Sequence, residues 1–138
     1  MNDLFDNIHT IISNQSLTSS LRLKLLHETL VLVCAEALKN SKYGFGDLNA
    51  QLESVIRLHN IPNDEANALR QARRDSNHST LKDTEVETAL KYDCAAVARL
   101  ISRVFKADIP SELTSLLPHN LKPAAERISR TRLTSAAS

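Results

Sequence analysis

From about position 20 to Lys39, apolar side chains recur at intervals of three and four: Leu23, Leu26, Leu30, Val33, Ala37 and Leu38. That spacing aligns them on one face of an α-helix. Leu25, Leu32 and Cys34 fall outside the stripe, so apolar groups cover more than half of the helix circumference. Such a helix needs shielding on several sides. It sits centrally in a bundle, or it faces a partner chain as well as its own core. Thr18, Ser19 or Ser20 supplies the hydroxyl that caps its first turn.

The same period runs through the rest of the chain. Leu4, Phe5, Ile8, Ile11 and Ile12 predict a first helix ending near Ser13 and Asn14. Asp47 caps a third helix carrying Leu48, Leu52, Val55, Ile56 and Leu58. After the break at Ile61, Pro62 and Asn63, a fourth helix carries Ala66, Leu69 and Ala72. Thr84 and Glu87 form a T-x-x-E capping box that opens a long fifth helix. Its stripe is Val86, Leu90, Cys94, Val97, Leu100, Ile101, Val104 and Phe105. Asp108, Ile109 and Pro110 start a shorter helix that Pro118 ends, residues 122–133 form a last basic helix, and 134–138 are a tail.

The chain holds only two glycines, Gly44 and Gly46, on either side of Phe45, in a turn expected to need positive φ. Neither strand alternation nor an internal repeat is present, and aromatics make up 4%. These features predict an all-α, single-domain bundle of five to seven helices over residues 1–133, with its core at about 20–107.

A net charge of +1 gives no global field that would drive the chain onto nucleic acid or an acidic membrane. The charge is uneven: Arg99, Arg103, Lys106, Lys122, Arg127, Arg130 and Arg132 make the last third locally basic. A solvated basic face and a nucleic-acid surface both fit that pattern, although the aromatics that stack single-stranded bases are missing there. Cys34 and Cys94 lie in apolar runs without a close cysteine neighbour, which suits buried thiols in a reducing compartment. The N-terminus is acidic and amphipathic, unlike a secretory signal, and the longest apolar run, Leu30 to Ala35, is too short to cross a bilayer. A cytoplasmic protein without membrane contact is expected.

Polar groups are densest from Arg70 to His78, a segment expected to join the fourth and fifth helices. Arg73, Asn77 and His78 are the candidate catalytic residues, and Arg70, Arg74 and Asp75 the candidate binding residues. An arginine fork grips phosphate oxygens in bidentate fashion, and an imidazole titrates near neutrality and can move a proton. Those two groups are what a metal-independent ribonuclease requires. The segment supplies one imidazole only, so two-histidine catalysis needs a second copy from a homodimer. The competing reading is structural: the same residue types cap helix ends and satisfy loose carbonyls. His9, His27, His59 and His119 are dispersed without H-x3-H or C-x2-C spacing, so no metal site is expected, and no motif calls for a cofactor.

Gly44-Phe45-Gly46-Asp47-Leu48, then Leu58, Ile61 and Glu65, then Arg73-Arg74-Asp75-Ser76-Asn77-His78, resemble the mannitol operon repressor family in order and spacing. The Arg and His are similar to those of the wider HEPN-like helical domains, and the resemblance covers roughly residues 20–107. It implies an all-helical, self-associating fold and two activities. Repressor-like members imply a non-enzymatic regulator or adaptor that binds an unknown protein partner as a homodimer. HEPN relatives imply a metal-independent endoribonuclease acting on RNA, with Arg73, Asn77 and His78 paired across the dimer. Arg74 and Ser79-Thr80 stand where toxin-like members carry a small polar residue and a tyrosine.

Overall fold

The computed structural model describes residues 2–77 and 81–121. Among them are six helices and no strand: α1 (Asn2–Ser13), α2 (Ser19–Leu38), α3 (Leu48–Leu58), α4 (Asn63–Asn77), α5 (Asp83–Phe105) and α6 (Ser111–Thr114). The protein is an all-α helical bundle. The predicted basic helix at 122–133 and the tail lie outside the described residues.

The helix starts follow from local chemistry. Thr18 Oγ1 accepts the Leu21 N–H at 3.2 Å and Asp47 Oδ1 accepts the Ala50 N–H at 2.9 Å, each occupying one of the amides left open in a first turn. The fifth helix starts differently from the capping box predicted at Thr84. Its N-cap is Lys82, and the Glu85 carboxylate accepts the Lys82 N–H at 3.2 Å. Glu87 is thereby released to pair with Arg22 on α2. The expectation for the glycines holds at one position. Gly46 adopts φ +96°, where a side chain would be strained, whereas Gly44 does not adopt a positive φ. A single left-handed residue is enough to aim Asp47 at the start of α3.

Two helix ends use a left-handed residue other than glycine. Asn60 at φ 51° lets the Ile61 N–H reach Ile56 O at 3.0 Å, and Lys106 at φ 54° lets the Ala107 N–H reach Ser102 O at 3.1 Å. Ile61 then drops into the core, as the apolar residue after such a cap commonly does.

α2 is the central element, touching α1, α3, α4 and α5. Leu23, Leu26, Leu30, Val33 and Leu38 are buried as the stripe requires, with Ala37 half-buried. Cys34, off the stripe, is fully buried too, because neighbours close on α2 from more than one side. α5 completes the centre with Leu90, Cys94, Val97, Leu100 and Ile101, and its buried Ala89, Ala95, Ala96 and Ala98 let adjacent helices approach closely. Burial pushes the Cys34 thiol up to about 12, and burial followed by the nearby Asp93 charge pushes Cys94 well above the ordinary range. Neither sulfur is a nucleophile in the folded chain.

Several buried polar groups join the helices. Arg22, only 3% exposed, donates from Nε to Ile11 O at 2.7 Å and from its terminal nitrogens to both Glu87 oxygens. Ile11 lies in the last turn of α1, where carbonyls lack partners and the helix dipole favours a cation. Glu65 in the first turn of α4 is buried, with Arg103 Nη2 at 2.6 Å and Arg99 Nη1 at 4.0 Å. Two of the cations counted toward a basic face are therefore turned onto an internal carboxylate. No helix among the described residues is long and apolar enough to cross a membrane.

Candidate functional site

The polar segment is not the inter-helix junction that its composition suggested. Residues 70–77 are the closing turns of α4, because alanine, arginine and glutamine favour helix and Leu69 and Ala72 anchor the apolar face. The helix therefore spreads the candidate residues around its circumference. Arg70 turns toward α3 and grips Glu53 through two nitrogens, at 2.8 and 2.9 Å. The hydrogen bond from Arg70 holds the Glu53 carboxyl below the usual carboxylate range and raises the guanidinium in turn. Arg74 is exposed and donates to Gln71 Oε1 at 3.1 Å, while Asp75 is buried and accepts from Gln71 Nε2 at 2.7 Å. Of the three candidate binding residues, Arg70 and Asp75 are therefore engaged within the fold.

Arg73 is partly buried, and its Nε is a buried donor with no hydrogen-bond partner among the described residues. Ser76 Oγ donates to Arg73 O at 3.1 Å. Asn77 is exposed and lines a cleft of about 480 Å³. His78 lies outside the described residues.

The cleft was not legible in the sequence. Ser19, Ser20, Leu23, Lys24 and His27 from α2 form one wall, Ser76 and Asn77 from the end of α4 another, and Leu81 and Val86 the third. His27 is partly buried, and its Nδ1 is shielded from solvent without a hydrogen-bond partner among the described residues. In the sequence it is one of four scattered histidines, far from Asn77, and only the packing of α2 on α4 makes them neighbours. Arg22 did leave a signal, because it precedes Leu26 by one turn on the buried face of α2. Among the described residues no three His, Cys, Asp or Glu side chains gather where they could share a metal ion.

A second surface feature lies on the outer face of α2. Leu21 and Leu32 are 52% and 53% exposed, and Val31 and Ala35 are exposed on the same side. Phe45, 84% exposed, lies next to Ala35 and Lys39 across a hollow of about 300 Å³. The broad apolar character predicted for this helix is thus used inward on four neighbours and still leaves an uncovered strip.

No family model, no curated protein and no solved structure matches this chain.

Proposed function

We propose that this chain is a non-enzymatic helical regulator or adaptor that works as a homodimer, two copies meeting along the open face of α2. The exposure of Leu21, Leu32 and Phe45 on one side carries this reading, since a solvated surface seldom gathers large apolar groups in one strip. The strip is self-complementary under a two-fold axis near residue 33, with the two copies of α2 antiparallel. Leu32 then faces the hollow beside Ala35 and Phe45 in the other copy, and Glu28 faces Lys39. Among the described residues Lys39 pairs with the half-buried Glu36, a surface contact that exchanges at little cost. The sequence resemblance of the Gly44–Leu48 and Arg73–His78 segments to mannitol operon repressor proteins supports the same reading, with a further protein as the regulated partner.

Replacing Leu32 with glutamate places a charge at the centre of the proposed interface while leaving the core untouched. Sedimentation velocity on wild type and Leu32→Glu is expected to give dimers and monomers respectively at the same micromolar concentration, with Tm nearly unchanged. A wild type that stays monomeric up to millimolar concentration sinks the reading.

One observation favours a second reading, that of a metal-independent endoribonuclease. His27 and Asn77 line one cleft within a single chain, so a histidine other than His78 is available without a dimer mate. His27 there would take the 2′-hydroxyl proton as that oxygen attacks phosphorus, and the departing 5′ oxygen would take its proton from water, with Arg73 on the phosphate. The expected products carry 2′,3′-cyclic phosphate ends, and cleavage disappears in His27→Ala and in Arg73→Ala. RNA left intact by wild type at micromolar protein, or cleavage that persists in both variants, removes this reading.

A further inference from the structure

We infer that the cleft between α2, the end of α4 and the start of α5 is a binding site for a small organic phosphate. The inference is independent of self-association through the outer face of α2.

The lining is what selects the ligand class. Lys24 provides the one formal charge among the described lining residues, and no carboxylate is among them. Two carboxylates next in sequence to lining residues are engaged elsewhere: Asp75, beside Ser76, accepts from Gln71, and Glu87, beside Val86, is gripped by Arg22. A cleft walled on one side by a cation concentrates negative ligands. His27 adds the polar group that lacks a role in the fold. A buried ring nitrogen without a partner is costly, and an incoming acceptor relieves that cost when the nitrogen carries its proton. Ser19, Ser20 and Asn77 add hydroxyl and amide groups that serve either as donors or as acceptors.

The opposite part of the lining is apolar. Leu23, Leu81 and Val86 offer carbon surface that inorganic phosphate cannot use and that the body of a phosphate ester can cover. A volume of about 480 Å³ lies within the range of ordinary small-molecule sites, roughly 300–1,000 Å³. Among the described lining residues there is no Phe, Tyr or Trp platform on which a base could stack. Recognition therefore rests on the phosphoryl group and on apolar contact, not on base identity.

The test uses the full-length chain, with adenosine 5′-monophosphate, glycerol 3-phosphate and inorganic phosphate as probes and the His27 ring proton signals followed by NMR. Both esters are expected to bind in the micromolar to low millimolar range and to shift the His27 signals, with inorganic phosphate at least about tenfold weaker. Lys24→Ala and His27→Gln should each weaken the esters by about tenfold, the loss expected for one charge-assisted contact, whereas Lys91→Ala, on exposed α5 surface, should not. Affinity should also fall as salt is raised. Unfolding of a variant is excluded by its circular dichroism, and Lys24, being exposed, can be replaced without loss of packing. No saturable binding at ten millimolar ester would overturn the inference. So would binding that neither substitution changes, or equal affinity for inorganic phosphate.

Discussion

Leu30→Ala is expected to destabilise the fold by about 3–4 kcal/mol. Leu30 is fully buried near the midpoint of the helix that touches four others. Removing its outer carbons forfeits their transfer free energy and opens a void that neighbours cannot fill, because α2 is pinned from several directions. For a chain of this length the corresponding drop in Tm is about 10 °C. Urea denaturation followed by circular dichroism checks it, with a lower midpoint and an unchanged slope. Leu32→Ala is the internal control. Two positions along the same helix and half exposed, it should cost under about 0.5 kcal/mol to the isolated fold, as surface changes do. If the two variants proved alike, Leu30 would not be at the centre of the core.

Arg22→Ala comes next, at about 3 kcal/mol, near the lower end for breaking a buried ion pair because Glu87 is half in water. The guanidinium closes two separate gaps. It satisfies a carbonyl at the end of α1 and neutralises a carboxylate on α5, so its loss loosens both helices from α2. Arg22→Met should cost less than Arg22→Ala, since the methylene stem continues to fill the space while only the polar contacts go. The effect also carries a pH signature. Arg22 holds the Glu87 carboxyl below the usual range, chiefly by its hydrogen bond, so Glu87 in the folded chain stays ionised at pH values where the unfolded chain has begun to take up a proton. Its contribution is fully present above the ordinary carboxylate range and is lost as pH falls through the lowered folded value. The stability gap between wild type and Arg22→Ala should therefore narrow in acid without closing, because the bond to Ile11 O does not titrate. A gap that widened below pH 4 would refute the pairing as the cause.

Much of the helical pattern could be read directly. The cap at Asp47, a hydroxyl cap within residues 18–20 that the fold assigns to Thr18, the buried stripes of α2 and α5 and the break at Pro62 follow from residue types and a period of 3.6, which are properties of a short piece of chain. Readings that turned on competition between partners were less secure. Thr84 and Glu87 have the spacing of a capping box, yet Glu87 is drawn to Arg22, which comes from a helix distant in sequence. Arg70 to Asn77 looked like a junction because polar residues crowd there, but Leu69 and Ala72 hold those turns in α4 and point the arginines in different directions.

Local periodicity was enough to determine that this protein is a helical bundle and which faces of α1, α2, α3 and α5 turn inward, because those outcomes depend on neighbours three or four residues apart. The cleft holding Lys24, His27 and Asn77 was decided by tertiary structure alone, as was the burial of Arg22 and Glu65. Those arrangements arise where α2 and α5 meet other helices, and the distances between residues remote in the chain are set by packing and by the pairing of buried charge. Neither leaves a periodic trace in the sequence.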